Sequence, residues 1–193
     1  MSSMPTRFNA VAVCSGHMID LPTRAAPRFP AAQEATVRAK MAMAIDGWKL
    51  GAGDLAICGG ARGADILFAE LCLGRGATVR LLVSLDDAEF REQALRLPGD
   101  DAWERRFDRL VERGAQALRR REHLGEPPPG VTPFAQTNKW MLDTALAEAT
   151  RPIRAILVWD GNDLGDGPGG TAHFASELAR IGCTPVIIDP GAG

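Results

Sequence analysis

The chain carries almost no net charge: 22 Lys and Arg stand against 24 Asp and Glu, a balance of −2 over 193 residues. It therefore has no general basic field to hold a nucleic-acid backbone, and no nucleic-acid partner is expected. Long apolar runs are also missing, and the longest fall far short of the roughly 20 residues that cross a bilayer. No membrane partner is expected. The opening residues, MSSMPTRFNAVAVCSG, contain no apolar core of a signal peptide, so a cytoplasmic location is expected. The four cysteines, Cys14, Cys58, Cys72 and Cys183, form no Cys-x-x-Cys pair and no zinc spacing. In a reducing compartment they read as small core hydrophobes. The pattern calls for no metal and no resident cofactor. Ser15 lacks a Gly-x-Ser-x-Gly context, so no nucleophile elbow is proposed there.

What is present is ordinary globular composition, 46% apolar and 24% charged. The length fits a single domain over residues 1–193 with a sizeable core. Five short apolar runs read as strands: NAVAVCS (9–15), DLAIC (54–58), TVRLLVS (78–84), RAILVWD (154–160) and TPVIID (184–189). Most are continuous rather than alternating, the pattern of strands covered on both faces. Helical patterns separate them. Val37, Met41, Ile45 and Trp48 share one face of a helix over 33–50. A second helix opens at Gly63–Asp65 and stops near Gly74. A third covers 101–120. The fourth starts at Thr132-Pro133, an N-cap followed by a first-turn proline, and runs to Ala149. The last lies between Thr171 and Gly182. This alternation predicts a three-layer α/β/α domain around a mostly parallel five-stranded sheet. The segment 85–153 interrupts it with two helical stretches and no strand. The prolines 127–129 form an extended linker inside it.

In such a sheet ligands bind beyond the carboxyl ends of the strands. Three turns stand there: SGHMID after the first strand, CGGARGAD after the second and WDGNDLGDGPGGTAHFASE after the fourth. In the second turn Gly59 and Gly60 leave the strand, Ala61 and Arg62 follow, and Gly63 opens the helix. A helix N-terminus leaves four amides unpaired and carries about half a positive charge. Glycines let an anion approach those amides, and Arg62 adds a charged donor. The spacing is neither that of a P-loop, since no Lys-Ser/Thr follows, nor that of a dinucleotide fingerprint. A tight packing turn is the competing reading. Gly169, Gly170 and Thr171 repeat the arrangement before the last helix. Two such turns suggest two walls of one phosphate pocket. Asp160 and Asp163, upstream in that loop, suit ribose hydroxyls or solvent.

GGARGAD after a strand, with PGGTA before the last helix, resembles the SLOG superfamily, which includes the LOG phosphoribohydrolases, the DprA proteins and sensor domains of nucleotide signalling. The resemblance covers roughly 9–189. It implies a Rossmann-like fold that binds nucleotides or nucleotide-derived molecules, and it implies a homodimer. Gly59, Gly60, Gly63 and Asp65 match its first glycine motif. Pro168, Gly169, Gly170 and Thr171 match part of the second. LOG enzymes carry PGGxGTxxE with a catalytic glutamate. Here Thr171 follows Gly170 directly and Phe174 stands three residues later, with Glu177 a further three on.

The expected function is therefore binding of a nucleotide or ADP-ribose-like ligand as a signalling or sensor-type domain. Its ligand-binding residues would be Ser15, Gly16, His17, Gly59, Gly60, Ala61, Arg62, Gly63, Asp65, Asp160, Gly169, Gly170 and Thr171. The alternative is an N-glycosidase, a phosphoribohydrolase or a nucleoside deoxyribosyltransferase-like enzyme. Its carboxylate near the anomeric carbon would be Glu70 or Glu177, with His17 as a candidate base. Asn138 and Trp140 could close over a base or ribose. Trp103, Phe107 and Trp140 are candidates for a dimer interface.

Overall fold

The structure, a computed structural model, describes residues 8–162 and 167–191. Its centre is one sheet of six strands in the order β4-β3-β2-β1-β5-β6. They are β1 (Val11–Gly16), β2 (Leu55–Cys58), β3 (Thr78–Val83), β4 (Gln116–Arg119), β5 (Arg154–Val158) and β6 (Val186–Ile188). Every pairing is parallel. All strand carboxyl ends therefore share one edge, which brings the turns after Gly16, Cys58 and Val158 together. The chain steps outward from β1 to β4 and then returns to β5 on the other side of β1. The point where strand order reverses lies between β1 and β5.

The continuous apolar runs have the expected cause. Ala12, Cys14, Ala56, Cys58, Ile156 and Val158 enter one core cluster. Their neighbours Val11, Val13, Leu55, Ile57, Ala155 and Leu157 enter a second cluster on the opposite face. The first is covered by α1 (Glu34–Trp48), α2 (Ala64–Gly74) and α4 (Ala102–Glu112). The second is covered by α6 (Pro133–Glu148) and α7 (Thr171–Arg180). Val37, Met41 and Ile45 bury one face of α1, as their spacing requires. Thr132 caps α6 by accepting the Ala135 amide at 3.0 Å, and Pro133 occupies the first turn.

The sequence reading errs in the long insertion. The sheet has six strands, not five, and the extra one, β4, lies within the helix expected over 101–120. That helix, α4, ends at Glu112. Gly114 at φ +106° turns the chain, and Gln116–Arg119 pairs with β3 at the sheet edge. None of its four residues is buried, and Gln116 and Arg119 are polar, so it shows no apolar run. Two further short helices, α3 (Asp87–Phe90) and α5 (Arg120–Leu124), also belong to the insertion. A single π-helical turn, Arg91–Leu95, continues α3. Trp103 and Phe107, expected as interface residues, are buried in the first core cluster. Trp140 is half-buried and stacks on His123 at 5.2 Å between ring centres.

Cys14, Cys58 and Cys72 are buried and free, and burial pushes each thiol well above its ordinary range. Among the described residues, no helix is long and apolar enough to cross a membrane.

Candidate functional site

A cavity of about 260 Å³ opens at the carboxyl edge of the sheet. Three of its walls are the expected turns: Ser15 and Gly16 after β1, Gly59, Ala61 and Asp65 after β2, and Gly169, Gly170 and Thr171 before α7. The insertion supplies the rest. Phe90, Gln93 and Ala94 come from α3 and the π turn, and Phe134, Thr137, Asn138 and Met141 come from α6. Leu82 and Ser84, at the end of β3, also line it. No Lys or Arg stands among these lining residues.

The second turn works differently from a phosphate cradle. The carboxyl of Asp65 fills its concave side. Its Oδ2 accepts the Ala61 amide at 3.2 Å, with further bonds from the Gly59 and Gly60 amides. A β-carbon on Gly59 would meet that same oxygen at 2.9 Å, which is why the position holds no side chain. The amides offered to an external anion are thus taken by the chain's own carboxylate. Burial pushes the Asp65 carboxyl up to about 7, and the bonds from Ala61, Gly59 and Gly60 offset only part of the rise. The other oxygen, Oδ1, is buried and has no partner among the described residues. A buried acceptor without a partner costs about 1–3 kcal/mol.

Gly60 and Gly63 serve packing. A β-carbon on Gly60 would press on Phe107 Cε2 at 3.1 Å, on the α4 side. Gly63 has φ +93°, and a β-carbon there would reach the Ile19 nitrogen at 2.6 Å and the His17 carbonyl at 2.9 Å. It lets the β1–α1 segment lie directly on the start of α2. Arg62 departs from expectation as well. It is buried, with 5% exposure, and is not among the residues that line the 260 Å³ cavity. Its Nε donates to the Ile19 carbonyl at 3.1 Å and its Nη1 to the Gln93 carbonyl at 2.9 Å.

The third turn keeps its N-terminus open. Gly170 is the N-cap of α7 in extended conformation, and no side chain caps its amides. Thr171 is buried and faces the cavity. Asn138 holds this turn in place. Its Nδ2 donates to the Gly169 carbonyl at 2.9 Å and lies 3.2 Å from His173 Nδ1. Gly169, at φ +101°, seats against the first turn of α6, where a β-carbon would come within 2.6 Å of the Ala135 nitrogen.

His17 and Asp160 belong to each other rather than to this cavity. His17 Nε2 lies 3.1 Å from Asp160 Oδ1 and 3.2 Å from the Asp160 amide nitrogen. One ring nitrogen serves one of these at a time: protonated, it donates to the carboxylate; bare, it accepts from the amide. Arg28 Nε donates to Asp160 Oδ2 at 3.2 Å. Burial acts to raise the Asp160 carboxyl, but the Asn162 amide, His17 and Arg28 outweigh it and hold it down at about 2. Asp163 lies outside the described residues.

The two glutamates offered for glycosidic chemistry stand elsewhere. Glu70 is ion-paired with Arg38 at 2.6 Å and with Arg106 at 2.7 Å, which also binds Glu34. Glu177 pairs with Arg180 at 2.9 Å. Neither lines the cavity. Phe90, Ser84 and Met141 do, and the sequence reading missed them. Ser84 alone had a signal, the polar residue that ends the apolar run of β3.

Neither a scan of protein-family models nor a search of curated proteins gave a match. The function must be argued from the cavity.

Proposed function

We propose that the chain binds a nucleotide or nucleotide-derived molecule in the 260 Å³ cavity, as a signalling or sensor-type domain. One observation carries this reading: Asp65, whose buried Oδ1 has no partner among the described residues, and the open N-terminus of α7 line the same cavity. A sugar hydroxyl would donate to Asp65 Oδ1 and satisfy a buried acceptor. A phosphate would lie against the amides at Gly170 and Thr171, where the helix end favours negative charge. Phe90, Phe134, Leu82 and Met141 offer apolar surface for a base. The volume falls just below the usual range of ligand cavities, which suits one nucleoside unit.

The test is a thermal-shift and calorimetric titration against nucleosides, nucleotides and ADP-ribose. A ligand that binds the folded state alone raises the melting temperature with its concentration. No shift with any compound at millimolar concentration would overturn the reading.

A second reading is favoured by Asp65 itself. A carboxyl that titrates near neutrality inside a cavity can act as a general acid or base. N-glycosidic hydrolysis would consume one water and release a free base and a ribose or ribose phosphate. In this reading Asp65 takes the part expected of Glu70 or Glu177. Release of free base from a bound nucleotide, abolished in Asp65→Asn, distinguishes it from binding alone.

A further inference from the structure

The Arg62 guanidinium remains unused by the central cavity, and its surroundings are unusual. It is buried, yet it forms no ion pair with any described carboxylate. Its two side-chain bonds go to neutral carbonyls, and the nearest acid acting on it is Asp20. Buried charges are normally matched by an opposite charge, because desolvation of an unmatched ion is costly. Asp20 is largely committed already. Its Oδ2 accepts the Arg28 and Phe29 amides, both at 2.8 Å, and its Oδ1 pairs with Arg24 at 3.4 Å.

Arg62 lines a second cavity, of about 350 Å³, between the 17–28 segment and the π turn. Arg24, Arg28 and His17 line it too, and among the described residues Asp20 is the one acid in its lining. With Arg28 set aside against Asp160, Arg62 and Arg24 still face a single carboxylate among the described residues of the lining. Met18 and Gln93 line both cavities, so they form a shared partition. The central cavity has acceptors and apolar walls but no cation. Its neighbour holds the cations.

We propose that this second cavity is an oxyanion site, built on Arg62 and Arg24, that takes a phosphate or pyrophosphate group. Arg62 supplies a fixed, pre-desolvated charge, and the half-exposed Arg24 closes on the anion from the solvent side. The phosphate can come from two sources: a free inorganic anion, or the distal phosphate of a ligand whose nucleoside occupies the central cavity. The second source rests on the function proposed above; the site itself does not.

The experiment is calorimetric or ³¹P NMR titration of the full chain with sodium pyrophosphate at fixed ionic strength. Arg24→Gln and Arg62→Gln are compared with the parent. Arg24 sits on an exposed stretch, so its replacement keeps the test valid should Arg62→Gln fail to fold. Saturable pyrophosphate binding is expected, weakened about tenfold in Arg24→Gln. Absence of binding at millimolar pyrophosphate, or an unchanged affinity in Arg24→Gln, overturns the proposal. A nucleoside and its diphosphate form the second arm. If Arg24→Gln weakens the diphosphate and spares the nucleoside, the site serves the central ligand. If it weakens pyrophosphate alone, the anion is a free one. If no nucleoside binds while pyrophosphate still depends on Arg24, the oxyanion site stands and the nucleotide reading fails.

Discussion

Asp65 Oδ2 lies 3.2 Å from the amide nitrogen of Ala61, and that contact turns a glycine-rich loop from an anion receptor into a holder of the chain's own carboxyl. The folded-state carboxyl is pushed up to about 7 by burial, above its unfolded value of about 3.9. Between these values the unfolded chain has lost its proton while the folded chain keeps it. Stability therefore falls as pH rises from about 4 to about 7, by on the order of 3 kcal/mol, and is flat above. Asp65→Asn keeps one acceptor for Ala61 and cannot ionise. Its denaturant midpoint should lose this slope and exceed that of the parent at pH 8. Parallel pH profiles for the two proteins would refute the assignment.

Asp160 behaves in the opposite sense. Its carboxyl is held down at about 2, so it contributes stability above about pH 4 that disappears as pH falls through 2. The side chain is 24% exposed and water screens part of the effect, leaving about 1 kcal/mol. Urea unfolding of Asp160→Asn at pH 7, 4 and 2.5 should show a deficit that shrinks to a minor fraction at the lowest pH. An equal deficit at all three would mean that charge plays no part.

Two glycines should respond to alanine with opposite sign. Gly63→Ala forces a β-carbon to 2.6 Å from the Ile19 nitrogen at φ +93°, and should cost about 3 kcal/mol or more. Gly47, on the exposed side of α1, would meet nothing within 4 Å. Gly47→Ala should raise stability by about 0.5–1 kcal/mol. Thermal unfolding of both variants decides the matter, and a neutral Gly63→Ala would remove the packing account of that turn.

Asn138→Leu preserves volume but strips the Gly169 carbonyl of its donor and removes the contact with His173 Nδ1. Leaving the half-buried Gly169 carbonyl without this donor should cost about 1 kcal/mol. Because the same turn opens α7 onto the cavity, ligand affinity should fall about tenfold in a variant that still folds by circular dichroism. Unchanged affinity would separate the third turn from the site.

The amino-acid sequence determined the sheet wherever strands are covered on both faces, since burial on two sides writes a continuous apolar run. It likewise determined that the turns after Ser15, Cys58 and Asp160 meet at one edge, because parallel strands leave no other arrangement. Thr132-Pro133 and the α1 face were legible for local reasons, a cap and a 3.6-residue repeat. The edge strand Gln116–Arg119 was not, because its four residues are nowhere buried and its polar ends, Gln116 and Arg119, leave no apolar run. Nor could the pattern GGARGAD reveal what fills its concave side. An external phosphate and the carboxyl of Asp65 make the same demand on the glycines, and only tertiary structure decides between them. The same holds for Arg62, Glu70 and Glu177, whose directions depend on carbonyls and arginines 3 to 43 positions away. Phe90, Ala94, Phe134 and Met141 reach the cavity from the insertion, where spacing along the chain carries no record of which residues will face one another across a space.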